Sequence, residues 1–163
     1  MNKVTVVPLY MEHIFTADPE RIFDAWITPA TMKKWLFTDE KTNKITKNEA
    51  RSGGGWEIVD HREGQTYRAI GQYKVVDRPS RLVMTFKMPQ FSDLEDTITV
   101  QLEPHDDGGT HMSFKQDIHV EHEDGWTQED IDRVTREHLD GTKQGFEQMF
   151  ANLEIVLEKG SLY

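Results

Sequence analysis

The hydrophobic positions of this chain change their period along its length, and each change marks an element. Residues 3 to 16 are rich in Val, Thr, Tyr and Ile, which suit a pleated strand, and Pro8, lacking a backbone donor, places that strand at a sheet edge or a bulge. At Asp18-Pro19 the pattern turns helical. Asp18 can cap a first turn and Pro19 can fill the first helical position, so Glu20 to Ile27 is predicted as a short helix with Ile22, Phe23 and Trp26 inward. Thr28-Pro29 repeats the signal for a second helix that turns Met32, Trp35 and Leu36 inward. Residues 38 to 49 are polar and lysine-rich, a loop or a weak edge strand.

After the Gly53-Gly54-Gly55 turn the period is two. Trp56 to Val59 opens a strand, and no helix or Lys-Ser/Thr pair follows the glycines to make a phosphate loop of them. Between Thr66 and Val76 the inward face is predicted as Tyr67, Ala69, Gly71, Tyr73 and Val75, with Arg68, Gln72 and Lys74 outward. A turn at Asp77-Arg78-Pro79-Ser80 leads to Leu82, Met84 and Phe86 on one face. Alternation resumes at Ile98, Val100 and Leu102, then, past the turn from His105 to Gly109, at Met112, Phe114 and Ile118. These segments make a meander of antiparallel strands.

From Thr127 the period lengthens to that of a helix. Ile131, Val134, His138, Thr142, Gly145, Met149, Leu153 and Val156 fall on one stripe, flanked by Leu139, Phe146, Phe150 and Leu157. Thr127 with Asp130 can cap the start and Gly160 can stop the helix after Lys159.

Composition narrows the partners. The 163 residues suit one domain, spanning 1–163. With 29 acidic and 19 basic residues the net charge is -10, which opposes binding to nucleic acid or to an anionic membrane surface. The lysines from Lys33 to Lys47 are interspersed with acidic residues, without a stacking platform of aromatics. Cysteine is absent, so disulfides, thiolate metal sites and a cysteine nucleophile are excluded. Met1 to Tyr10 lacks the layout of a signal peptide and no apolar run is long enough for a membrane span, so the expected location is cytoplasmic.

Several stretches together resemble one family. They are Phe15-Thr16-Ala17-Asp18-Pro19 with Ala25-Trp26-Ile27-Thr28-Pro29 and Trp35, Gly71-Gln72-Tyr73-Lys74-Val75-Val76 with Arg81-Leu82-Val83-Met84-Thr85-Phe86, Thr97 to Glu103 with Gly109 to Phe114, and Gly125-Trp126. In their order and spacing they are similar to the activator of Hsp90 ATPase homologue (AHSA1-like) family of the START-like, or helix-grip (SRPBCC), superfamily. The resemblance implies an α+β fold, a curved antiparallel sheet wrapped around a long C-terminal helix, with two short helices after the first strand. It also implies a cavity between sheet and helix, since members of the superfamily bind lipids, sterols, polyketides and related apolar molecules. The motifs are structural and carry no catalytic residue to any position here.

Candidate chemistry is sparse. His119 and His122 with Glu121, Glu123 and Asp124 lack the spacing of a zinc motif and are expected in a hydrated loop. His138 lies on the apolar stripe, where a core histidine bonded to a strand is the simpler reading and a ligand anchor or general base the sharper one. Gln116 and Thr142 can join it. Gly141 and Gly145 weaken the helix by about 1 kcal/mol each relative to alanine, which calls either for close approach to the sheet or for space beside a ligand. Trp35, Trp56, Tyr67, Tyr73, Phe86, Phe114 and Phe146, with Met84, Met112 and Met149, are individually ordinary core residues and together a suitable cavity lining. The polar connection from Met88 to Asp96 is by default a simple loop, and the sharper reading makes Phe91 a lid over the cavity mouth.

The leading expectation is therefore a cytoplasmic domain that encloses an apolar or amphipathic small molecule and needs no cofactor and no metal. A protein-interaction module, an Hsp90 co-chaperone or stress-associated regulator working through its acidic surface, is the alternative that the resemblance suggests. A cyclase or hydrolase using His138 is the third.

Overall fold

The structure, a computed structural model, describes residues 3–162. Strand β1 (Val4–Phe15) is followed by helices α1 (Pro19–Ile27) and α2 (Pro29–Trp35), then by β2 (Asn43–Asn48), β3 (Gly55–Arg62), β4 (Gln65–Asp77), β5 (Arg81–Phe86), β6 (Asp96–Pro104) and β7 (Thr110–Glu121), and finally by α3 (Gln128–Lys159). The seven strands form one antiparallel sheet in the order β1-β7-β6-β5-β4-β3-β2. The meander from β2 to β7 is thus completed by β1, which pairs along its whole length with β7 and sets Pro8 opposite Asp117 on an edge strand. The lysine-rich segment supplies the other edge, β2.

Local chemistry starts and stops the helices where the sequence indicates. The Asp18 carboxylate accepts from the Arg21 N–H at 2.9 Å, with Pro19 next to it in the first turn. Thr28 stands at the cap of α2 without a side-chain bond, and Pro29 alone marks the start. For α3 the capping box is complete: Asp130 N–H donates to Thr127 Oγ1 at 3.2 Å, and Thr127 N–H to Asp130 Oδ2 at 2.9 Å. Gly160 ends the helix at φ 84°, the left-handed conformation that lacks a steric penalty only for glycine. Two cations then bind the orphan carbonyls of that last turn. Arg21 donates to Leu157 O at 2.7 Å and Lys34 to Gly160 O at 2.8 Å, so α1 and α2 hold the negative end of the α3 dipole.

The inner face of the sheet, α1, α2 and the C-terminal half of α3 enclose the core. Ile22, Phe23, Trp26, Met32, Trp35 and Leu36 from the short helices meet Leu82, Met84, Ile98, Val100, Met112 and Phe114 from the strands. One inward position differs from the alternation. The ladder between β4 and β5 shifts between Tyr73 and Val75, so Val76, opposite Leu82, packs on the core where Val75 is expected. An extra residue in one strand reverses its faces beyond the bulge, and alternation alone does not reveal it.

Gly71 lies where backbone and side chain crowd together. A Cβ there would sit 1.9 Å from Thr85 O and 2.6 Å from Trp56 Nε1. We expect Gly71→Ala to destabilise the protein by about 2 kcal/mol or more, read as a lower midpoint in urea unfolding. A midpoint equal to that of the unaltered protein would show that the β4–β5 backbone yields without cost.

Candidate functional site

The 32-residue helix α3 is buried along only half its length. Phe146, Phe150, Leu153 and Val156 reach the core, whereas Ile131, Val134 and Leu139 are half-buried and His138, Gly141 and Gly145 are exposed. Under the less buried half lies a cavity of about 460 Å³. Its walls come from the end of β5 and the connection after it (Phe86, Lys87, Met88, Phe91, Ser92, Leu94), from Asp96, from β7 (Gln116, Ile118, His119), from α3 (His138, Gly141, Thr142, Gly145, Phe146, Met149) and from Phe37 beyond α2.

Seven of the residues expected at a cavity therefore surround this one: Phe86, Phe91, Gln116, His138, Thr142, Phe146 and Met149. The other seven stand elsewhere, for identifiable reasons. Met84 and Met112 are buried in the core. Phe114 fills the space between Phe146 and Phe150, at centroid distances of 4.5 Å and 5.6 Å. Trp35 is held edge-on to Trp26 at 4.8 Å, with its indole N–H donating to Ala25 O at 3.0 Å. Tyr73 donates to Asn48 Oδ1 at 2.5 Å, and burial pushes its phenol pKa up. Trp56 stacks behind Phe37 at 5.7 Å, and Tyr67 lies 6.2 Å from Phe91 with Arg62 over its ring.

His138 departs from the expectation of a buried stripe. It is exposed at the cavity, because the helix half that carries it does not close on the sheet. His119 departs in the opposite sense: expected in a hydrated loop, it lies within β7 and is paired with Asp96. His122, just past β7, has Nε2 2.6 Å from Thr5 Oγ1. Among the described residues, no group of three or more His, Asp or Glu side chains is arranged to hold a metal ion, and no helix is long and apolar enough to cross a membrane.

Asp96 organises the polar part of the cavity. The β6–β7 ladder reaches Thr97 opposite Asp117, so the His119 N–H, two residues beyond it, finds the Asp96 carboxylate at 2.9 Å in place of a strand carbonyl. The same Oδ1 lies 3.1 Å from His119 Nδ1, and Oδ2 accepts from Gln116 Nε2 at 2.8 Å. Gln116 is 2% exposed and its Oε1 is buried without a partner. Asp96 and His119 stand 23 positions apart, and only strand register brings them together.

Phe37 is another wall residue that the sequence did not signal. Its φ of 63° is left-handed, a conformation that strains a bulky residue by roughly 1–3 kcal/mol. Its ring stacks on Phe86 at 4.6 Å and 20°, and its N–H donates to Met149 Sδ at 3.1 Å. These contacts seat an aromatic wall at the inner end of the cavity.

Known proteins give this arrangement a family. The sequence profile described as "Activator of Hsp90 ATPase homolog 1-like protein" matches residues 16–158. The chain belongs to that family. Its fold is that of the START-like superfamily. A solved structure of a Staphylococcus aureus protein of unknown function, SA2116, is similar, with a TM-score of 0.88 and 30% identity over 98% of this chain and 96% of that one. A Rhodobacter sphaeroides protein (24% identity, TM-score 0.70, 96% and 98% covered) and CV1439 of Chromobacterium violaceum (21%, 0.69, 93% and 96%) share the fold. Among curated proteins none matches the sequence.

In this AHSA1-like chain the two helix glycines border the cavity without close contact. A Cβ on Gly141 would meet nothing within 4 Å, and one on Gly145 only the flexible end of Met149 at 4.0 Å. Close approach of helix to sheet therefore does not explain them. We expect Gly141→Ala and Gly145→Ala each to stabilise the protein, by about 0.5–1 kcal/mol, measured by denaturant unfolding. A loss of stability in either variant would mean that the space above the glycines is occupied in solution.

Proposed function

We propose that this AHSA1-like chain binds an apolar or amphipathic small molecule in the cavity between α3 and the sheet. The observation that carries this reading is an unfilled volume of about 460 Å³ within the size range of small-molecule sites, beside two glycines that are not crowded by the sheet. Phe37, Phe86, Phe91 and Phe146 with Met88 and Met149 supply much of the apolar part of the wall, and the two methionines can adapt to an irregular ligand. Burying ~200 Å² of apolar ligand surface at ~25 cal/mol/Å² contributes ~5 kcal/mol before association costs, so polar contacts are needed for tight binding.

Phe91 serves as the lid in this reading. It is 68% exposed, an unusual position for a phenylalanine, and it stands on the connection that borders the cavity. A bound molecule gives that ring an apolar surface to cover.

Native mass spectrometry with a panel of fatty alcohols, fatty acids and sterols tests the proposal. A retained adduct is expected from the unaltered protein, and a less abundant one from Gly145→Leu, whose side chain takes up part of the cavity while the helix gains a better former. Failure of every compound to form an adduct, or adducts equally abundant in the filled variant, overturns this site. For Phe91→Ala we expect faster release of whichever compound binds, read by stopped-flow displacement. An unchanged release rate removes the lid.

A further inference from the structure

The polar groups of the cavity show a consistent bias. The Asp96 carboxylate accepts from Gln116 Nε2, from the His119 N–H and from His119 Nδ1, so it fixes the orientation of both neighbours. A carboxylate has no proton to give, and turning the Gln116 amide over would set Oε1 against it. The amide is thereby held with its N–H toward Asp96. Its other pole, Oε1, is buried and has no partner, a state that carries a penalty until a donor arrives. By the same logic Nδ1 of His119 carries the proton, and in the neutral ring Nε2 is left as an acceptor. Both residues line the cavity, with Oε1 itself closed off from water, so a donor reaches it only as the wall gives way to a ligand.

Resting on the binding reading above, we propose that the ligand is an amphiphile whose polar end donates a hydrogen bond, an alcohol or an amine, to Gln116 Oε1 and His119 Nε2, and that carboxylate-headed amphiphiles are disfavoured. A carboxylate brings only acceptors to two acceptors and adds a negative charge near Asp96. The remaining polar neighbours do not reverse this. Ser92 Oγ accepts from the Leu94 N–H at 3.1 Å and keeps its own hydroxyl proton, so it can serve either kind of head group. The Thr142 hydroxyl serves donors and acceptors alike, and His138 is exposed. Lys87 is the fixed cation among the described wall residues, and it also borders a neighbouring groove of mixed charge lined by Lys47, Glu49, Glu57, Arg68 and Glu95.

Three compounds of one chain length separate the possibilities: decanol, decyl methyl ether and decanoate. Their affinities are measured by isothermal titration calorimetry at one mildly alkaline pH. We expect decanol to bind roughly tenfold more tightly than the ether, which lacks only the donor, and decanoate to bind more weakly than decanol. Gln116→Met and His119→Phe should each narrow the gap between alcohol and ether, and the double variant should erase it while still binding the ether. If the double variant lacks a cooperative melting transition, the single variants decide.

Equal affinity for decanol and the ether, a gap that survives both substitutions, or tighter binding of decanoate through Lys87 overturns the inference and leaves the cavity as a ligand site. Absence of binding by all three, together with no adduct from the wider panel, removes the binding reading itself.

Discussion

The ring of Phe150, 1% exposed, touches the aromatic side chains of four other elements. Phe15 at the end of β1, Trp26 in α1, Trp35 in α2 and Phe114 in β7 have their centroids 6.4, 6.4, 6.5 and 5.6 Å from it, and Phe146 of its own helix lies 5.5 Å away. Aromatic pairs add about 0.5–1.5 kcal/mol each beyond the area they bury, so one side chain ties helix, short helices and sheet into a single packed unit. Arg21 and Lys34 hold the C-terminal carbonyls of α3 from the same side. With its C-terminal half fixed in this way, α3 has a set direction over the sheet, and its other half reaches across the cavity with little burial. The cavity is thus a consequence of where the aromatic pin stands along the helix.

A polar cluster at the bottom of an apolar space is costly unless something completes it. The Asp96 carboxylate receives three donors, two of them from the last turn of the β7 register beyond its ladder, and that set satisfies a charge which burial would otherwise penalise. The unmatched Gln116 Oε1 remains, and leaving a buried acceptor without a partner costs about 1–3 kcal/mol. The same amide replaced by an aliphatic side chain would avoid that penalty. That replacement would also take a donor from Asp96, so the amide serves the carboxylate through Nε2, and only Oε1 is left for the proposed ligand to complete.

Much of this architecture was legible in the sequence because it is written in local chemistry. Asp18-Pro19, Thr28-Pro29, Thr127 with Asp130 and Gly160 mark helix ends that the structure reproduces within a residue or so. Period two at Leu82, Met84, Ile98, Val100, Met112 and Phe114 specifies the inner face of the sheet. The site was only half legible. Periodicity distinguishes inside from outside but not packed core from cavity wall, so Trp35, Met84 and Met112 could not be separated from Phe86 or Phe146. It also assumes a helix buried along its whole stripe, and α3 is not, which is why His138 emerges exposed. The pairing of Asp96 with His119 and the left-handed backbone of Phe37 depend on register and tertiary packing, for which a single sequence carries no local signal.

The N-terminal half of α3 must be stabilised by its own residues, since the core reaches it little. The capping box at Thr127 and Asp130, the Arg133–Asp130 ion pair at 3.2 Å and the Gln128–Asp132 hydrogen bond at 2.9 Å all fall in its first two turns. Such exposed contacts are each worth a few tenths of a kcal/mol to about one. Gly141 and Gly145 subtract a comparable amount, and they do so between the capped start and the first fully buried residue, Phe146. The helix is therefore well nucleated at one end and pinned at the other, and intrinsically least stable over the span that roofs the cavity. Local opening of a segment with few buried contacts costs less than global unfolding. A roof built this way can open between α3 and the Phe91 connection without disturbing the aromatic pin around Phe150, which is what the proposed binding would require of the fold.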